Sequence, residues 1–427
     1  MRLQWLAGIA MMTAACGPGI HPSTSSTTST PASSGALVTS PSVSPTSALP
    51  PGKDYATPTP IPASAGPYVL DLTWVSESMG WALAAVPCAG QLCPAVAETT
   101  NGGVTWQGLP SPPVSLYAIA APQGDCEQGN PCVSHIRFAT SKIGYLFGPG
   151  LFMTVDGGES WQEVTSPPVE TLEAAGGNVF RVVYDHLGCP GPCNRTVEEA
   201  PAGFDTWRTL LQIPGQLQIP NAGALDTATL ILQDTQTIYL PIYGNPTGGE
   251  PFTTLFRSLD GGQTWQLLPD PCVSATVLAD SAISFTAAPG GYLVALCYPN
   301  NQPEAMTVVT SHDSGSSWGP QLAVPGSFWG LIASPSPGTL VVGPAPGSGG
   351  GPANMTTTLA LAVSTDGGLD WGTAATDQAN LSKAPLGVSL WLGFEDAATG
   401  RWVGDDQTIW ITTDGGTDWT ARAFAIG

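Results

Sequence analysis

Positive charge is what this sequence has least of: 11 lysines and arginines stand against 32 aspartates and glutamates in 427 residues, a formal net charge of −21. A chain of that sign is repelled by nucleic acid and by anionic lipid, so neither is expected as a partner. Charged residues of both signs make up only 10% of the chain, against roughly 25% in an average soluble domain. Histidine is equally scarce, with His21, His135, His186 and His312 only, too few to argue a Ser-His-Asp constellation. No Gly-Lys-Ser or Gly-Lys-Thr follows any of the glycine pairs, which excludes a phosphate-cradling loop of that type. The apolar run at the start, Leu3–Met12, falls short of the ~20 residues that a membrane-spanning helix needs.

What the chain has instead is one phrase, said repeatedly. Thr412-Thr-Asp-Gly-Gly-Thr-Asp-Trp419 reads S/T-x-D-x-G-x-x-W, and it recurs at 99–106, 154–161, 258–265, 311–318 and 364–371. A seventh, worn copy at 200–207 keeps Trp207 but has Ala202 in place of the aspartate and Phe204 in place of the second glycine. Each residue type has a physical task. The carboxylates of Asp156, Asp260, Asp313, Asp366 and Asp414 can accept N–H groups of their own turn, and Asn101 can do the same in the first copy. Gly416 can take positive φ without steric cost. The indole can fold back over the turn and bury a large apolar face. The hydroxyl of Thr412 is expected to bond a neighbouring strand.

The closing tryptophans, Trp106, Trp161, Trp207, Trp265, Trp318, Trp371 and Trp419, recur about every 50 residues, the length of one four-stranded propeller blade. A second phrase precedes the turn, in which an aromatic stands six residues before a glycine: Trp74 and Gly80, Phe138 and Gly144, Phe285 and Gly291, Phe394 and Gly400, with Ile231 and Ile332 at the matching place in two other repeats. Apolar residues alternate around it with the period of a half-buried strand. The sequence therefore predicts an all-β fold over 67–427, a seven-bladed β-propeller of four-stranded antiparallel blades. The chain should enter on an innermost strand near Val69 and leave on an outermost strand near 420–425. Closure is then expected by packing of the first blade on the last, with residues 55–66 as a candidate aid. Trp74 and Trp391 are expected in the core, the functional alternative being a sugar platform.

Residues 1–16 read as a targeting segment, with Arg2 followed by the short apolar run. Its end, Thr13-Ala14-Ala15-Cys16, resembles a bacterial lipobox, which implies lipidation of Cys16 and anchoring to a membrane outside the cytoplasm, the alternative being ordinary cleavage near Ala15 and secretion. Residues 17–66 are mostly Ser, Thr and Pro, cannot bury a core, and read as an extended tether. Beyond Cys16, eight of the 9 cysteines remain, an even number that favours disulfides in an exported chain. Local spacing pairs Cys88 with Cys93, Cys126 with Cys132 and Cys189 with Cys193, leaving Cys272 for Cys297. The alternative for Cys189-Pro-Gly-Pro-Cys193 is a metal site, but zinc needs four ligands and His186 is the only histidine nearby in sequence. No metal or cofactor is expected.

The octapeptide resembles the Asp-box, or bacterial neuraminidase repeat, of β-propellers. Sialidases of that kind hold a carboxylate with three arginines and carry a Phe/Tyr-Arg-Ile-Pro phrase before the first box. This chain has only Arg137, Arg181, Arg195, Arg208, Arg257, Arg401 and Arg422 outside the leader. Its nearest echo of the phrase, Phe180-Arg181-Val182-Val183, lies after two boxes and lacks the proline, so no catalytic residue is carried over. Endo-xyloglucanases resemble the repeat pattern too, but use two propellers. Gly80-Trp81-Ala82 together with 412–419 also resembles the photosystem II assembly factors of the Ycf48 type, single seven-bladed propellers with a lipobox. Those bind a nascent membrane protein through an arginine-rich face, which this chain lacks. The resemblance implies a monomeric, non-catalytic binding module for a protein or glycan. The second class is a glycoside hydrolase using a carboxylate pair, with Asp71, Glu77, Glu98, Asp185, Glu198, Glu199, Glu395 and Asp396 as the acids outside the boxes.

Overall fold

The computed structural model describes residues 67–88, 91–117, 126, 131–185, 193–215, 227–244, 252–272, 280–299, 306–325, 330–343, 356–380, 391–404 and 407–427. The leader, Cys16, the tether and residues 55–66 lie outside them, as do Cys189 and His186.

Seven antiparallel sheets follow one another along the chain, each built from strands consecutive in sequence. The first, blade 1, runs Tyr68–Trp74, Gly80–Cys88, Gln91–Thr99 and Gln107–Leu109. The last, blade 7, runs Trp391–Phe394, Gly400–Val403, Thr408–Thr412 and Thr420–Ala423. Among the described residues no strand of one blade is borrowed by another. A short parallel pair, Ser115–Leu116 with Cys132–Val133, sits in the connection from blade 1 to blade 2.

Blade 4 departs from four strands. Its innermost strand is split into Thr227–Ala228 and Ile231–Leu232, both pairing with Ile238–Gly244 in one continuous register. The interruption faces Pro241, which offers its carbonyl to the N–H of Thr229 at 3.1 Å but has no N–H to return, so the ladder breaks there.

The core lies between the blades. Seven apolar clusters each join one pair of neighbours, from Trp81 and Leu83 against Ile136, Phe138 and Phe152 round to Val69 and Leu72 against Val403 and Ile409. The last of these closes the ring, blade 1 on blade 7, without a shared sheet. The end of the chain adds to the closure. Ile426 forms a parallel bridge with Trp106, Gly427 N–H donates to Trp106 O at 2.9 Å, and Phe424 meets the Trp106 ring edge-on. Trp74 and Trp391, both half-buried, pack against this same interface.

The aromatic-to-glycine spacing has a plain cause in three blades. Trp74 pairs across the hairpin with Gly80, Phe138 with Gly144 and Phe394 with Gly400, and each ring lies over its glycine. A Cβ on Gly144 would stand 2.5 Å from the Phe138 ring, which cannot retreat because Trp81 of blade 1 stacks on its other side at 3.7 Å. Gly144→Ala is therefore expected to cost about 1–3 kcal/mol through overpacking, read as a lowered urea midpoint at unchanged m. Blade 5 differs: Phe285 pairs with Ala295, and Gly291 lies in the turn with φ +78°. The Pro289-Gly290-Gly291 turn makes that hairpin tighter, so the equal spacing there is not a cross-strand pair.

Candidate functional site

Three features of the disc carry polar chemistry: the repeated turns, an ion network on the inner strands of blades 1–3, and a clasp between blades 7 and 1.

The turns join the third strand of each blade to the fourth. In six copies the first hydroxyl, on Thr99, Thr154, Ser258, Ser311, Ser364 or Thr412, is buried. It accepts the N–H of the second glycine position at 2.8–3.0 Å and donates to the Asn101 or aspartate side chain two residues on. Thr412 thus bonds its own turn and not a neighbouring strand, because the tight turn brings Gly416 N and Asp414 Oδ1 within reach first. The same side-chain oxygen accepts the N–H four residues ahead, at 2.8–3.0 Å. These bonds favour the ionised carboxylate. Asp313 is held down at about 2, chiefly by the Ser317 hydroxyl and N–H, and Asp260 falls below its ordinary value for the same reason, through Thr264.

The indoles cover the turns. Trp265, Trp371 and Trp419 donate to the carbonyl of their own turn glycine at 2.8–3.1 Å, while Trp161 reaches Pro110 O of the preceding blade at 3.1 Å. Trp106 is buried and Trp318 half-buried. The worn copy is repaired from outside. The Tyr145 hydroxyl of blade 2 accepts Gly203 N–H at 2.9 Å, and the Arg181 guanidinium lies 3.7 Å over the Trp207 ring.

On the inner strands, Asp71 of blade 1 is almost fully buried beside a bulge. Its Oδ2 accepts Ile136 N–H of blade 2 at 2.9 Å and faces His135 Nδ1 at 3.3 Å and the Arg137 guanidinium at 3.5 Å. Arg137 continues to Glu173 of blade 3 at 3.0 Å. Burial would raise Asp71, but Arg137 and then His135 outweigh it and hold the carboxyl below its usual value. Burial pushes Glu173 the other way, above its usual value, against the pull of Arg137. Further round, Glu170 takes Arg195 at 2.8 Å and accepts Ala228 N–H of blade 4. These side chains stitch successive inner strands together.

At the ring closure, Arg401 of blade 7 is 1% exposed. It pairs with Glu395 Oε2 at 3.1 Å, donates to Glu77 O of blade 1 at 3.0 Å, and lies 4.2 Å over the Trp74 ring. Burial pushes Glu395 up to about 7 despite Arg401. Its neighbour Asp396, hydrogen-bonded by the N–H groups of Thr399 and Ala398, is lowered.

Of the acids singled out in the sequence, Asp71 thus joins the inner-strand network, and Glu77, Glu395 and Asp396 meet at the closure. Glu198 pairs with Arg181 at 2.8 Å and Glu199 with Arg208. Asp185 accepts Asn194 in a connecting loop, and Glu98 lines a shallow cleft at the edge of blade 1 with Trp106 and Gly427. The cysteines give disulfides Cys88–Cys93, Cys126–Cys132 and Cys272–Cys297, and Cys193 is disulfide-bonded. Among the described residues no group of three His, Cys, Asp or Glu side chains is placed to hold a metal ion. Sequence reasoning missed Glu170, Glu173 and the pairing roles of His135 and Arg137. Their signal was a polar residue beside each apolar position of an inner strand.

The architecture defines the class: a seven-bladed, all-β propeller. No protein-family profile matches the chain, and no curated protein does. Solved propellers are similar in fold. The polysaccharide lyase PL25 ulvan lyase, solved bound to -[GlcA(1-4)Rha3S]-, superposes with a TM-score of 0.51 at 10% identity over 82% of this chain and 92% of its own. YCF48 bound to a D1 peptide gives 0.47 at 15% over 86% and 97%. YCF48 from Cyanidioschyzon merolae gives 0.47 at 14% over 83% and 97%.

Proposed function

We propose that the chain is an exported, membrane-tethered propeller of Asp-box type that binds or assembles a protein or glycan partner and is not a catalyst. The observation that supports this most is how its acids are used. Where carboxylates gather among the described residues, an arginine or a turn's own N–H groups already hold them: Arg137 takes both Asp71 and Glu173, and Arg401 takes Glu395. A glycosidase needs one carboxylic acid to donate and one carboxylate to attack or activate water, both facing the substrate. What remains is a rigid disc, and such scaffolds present ligands to exposed loops. The test is recovery from native membranes with the full-length tethered protein as bait. A reproducible protein partner supports the reading, and polysaccharide alone would remove the protein-partner half of it. Anchoring is checked separately: Cys16→Ser is expected to move most of the protein from the membrane pellet to the soluble fraction, because a lipid chain is the only anchor proposed.

A glycoside hydrolase is the second reading, favoured by one observation. Glu395 is raised to about 7 while adjacent Asp396 is lowered, the contrast that an acid and a base require. Against it, Glu395 Oε1 is enclosed without a partner and Oε2 is on Arg401. Turnover of any aryl-glycoside in a broad panel, abolished by Asp396→Asn, would establish it.

A further inference from the structure

Among the described residues, five of the seven exposed large apolar side chains fall in one kind of place. Val104, Val155, Phe204, Leu259 and Leu369 are 50–68% exposed, and each lies in the repeated turn of a different blade: 1, 2, 3, 4 and 6; Tyr117 and Leu267 lie elsewhere. Every blade runs its strands in the same order, so all these turns emerge on one face of the disc. There they rest on the first hairpin of their own blade through bonds such as Gly102 N to Ser78 O and Gly415 N to Ala398 O. The fold does not require apolar residues at these places. At the second and sixth positions, where Val104, Val155, Leu259 and Leu369 stand, other copies hold Thr100, Glu159, Gln263, His312, Ser316, Thr365, Thr413 and Thr417, and Phe204 stands where the other copies have glycine. Five apolar side chains, one to a turn, on a single face point to something that covers them.

Charge decides what that is. The same turns carry Asp156, Asp260, Asp313, Asp366 and Asp414, and their internal hydrogen bonds keep them ionised. The chain's cations offset them only in part: Arg181, Arg195, Arg257 and Arg401 are buried inside and between the blades, and of the exposed ones Lys142 lies beside the single turn of blade 2. A second copy of this chain, at net −21, would be repelled, and so would an anionic bilayer. We infer that the turn-bearing face docks a protein surface that is both basic and apolar, with aliphatic or aromatic side chains seated between the turns and lysines or arginines meeting the rim carboxylates.

This rests on the binding-module reading and narrows it to one face and one partner chemistry. The experiment uses the full chain and a variant with Val104, Val155, Phe204, Leu259 and Leu369 each changed to Ser. These are exposed positions whose replacement should leave the melting temperature within a few degrees. Both are titrated with an amphipathic Lys/Leu peptide, an all-Lys peptide of equal charge, and vesicles of zwitterionic and of anionic lipid. The expected result is that the Lys/Leu peptide binds the unaltered protein at least tenfold more tightly than the variant and weakens with added salt. The all-Lys peptide should not distinguish the two proteins. Equal binding of the Lys/Leu peptide to both overturns the inference, as does vesicle binding or self-association that the variant loses. The membrane-recovered partner separates the two readings. If it binds both proteins equally, the binding module stands and this face is wrong. If no partner is recovered while the peptide still discriminates, the module reading fails on its own.

Discussion

At pH 8, where Glu395 is ionised, replacing Arg401 with alanine is expected to lower the free energy of unfolding by about 3–5 kcal/mol, the usual cost of removing one partner of a buried ion pair. Arg401 is the largest polar side chain among those fully enclosed, and it does three things at one seam. It neutralises Glu395 within blade 7, bonds the Glu77 carbonyl of blade 1, and covers the Trp74 ring. Among the described residues no strand crosses this seam, and the apolar cluster, the Ile426–Trp106 bridge and Arg401 hold the ring shut. The loss should therefore be local before it is global. Amide exchange should accelerate first in blades 1 and 7, with strands such as Ile238–Gly244 across the disc protected until global unfolding. Arg401→Lys keeps the charge but loses the planar fork, and should fall between wild type and alanine. A double change, Arg401→Met with Glu395→Leu, removes both charges and should recover much of the loss. If Arg401→Ala melts with wild type, or if exchange rises evenly round the disc, the seam is not where the ring is weakest.

The blades were legible in the sequence because the device that ends each one is local. A hydroxyl, a carboxylate, two glycines and an indole within eight residues satisfy one another's bonds, so the phrase predicts its own geometry. The three disulfides were legible for a related reason, since their partners stand at most 25 residues apart. The Gly144 requirement was visible as a spacing, and that spacing misled at Gly291 because a shorter turn shifts the register while leaving the count unchanged. The ion network was out of reach. Asp71, Arg137 and Glu173 lie on three different blades, and the strand alternation that marks them as polar positions does not say which pairs with which. Their pairing depends on which inner strands are neighbours and how far each is slid along the next. The contact of Ile426 with Trp106 joins two single residues, too little for any pattern to announce. The buried role of the arginines was hidden as well. Their scarcity reads as a surface property, whereas most of them are inside.

The second large effect is a pH dependence traceable to one carboxyl. Glu395 is 8% exposed, and burial lifts it to about 7 from an ordinary 4.5. The folded protein thus binds a proton at this site over a range where the unfolded chain has released it. Stability from this group is fully present below about pH 4.5 and is lost as pH rises through about 7, a total of roughly 3 kcal/mol at 1.36 kcal/mol per pK unit. Asp71 works in the opposite sense. Its lowered value contributes stability above its unfolded pKa that disappears as pH falls through the folded one. The raw pH profile therefore mixes the two, and the useful quantity is the difference between wild type and Glu395→Gln. Glutamine fixes the uncharged form, so Asp71 cancels, as does any constant cost of leaving Arg401 without a countercharge. Measured by urea unfolding at fixed temperature, that difference should move against wild type by roughly 3 kcal/mol between pH 4 and pH 8. The steepest change is expected between pH 5 and pH 7. A flat difference would mean that Glu395 titrates alike in the folded and the unfolded chain, burial and Arg401 cancelling at this site. A slope of opposite sign would place its folded pKa below 4.5 and make the clasp an ordinary ion pair.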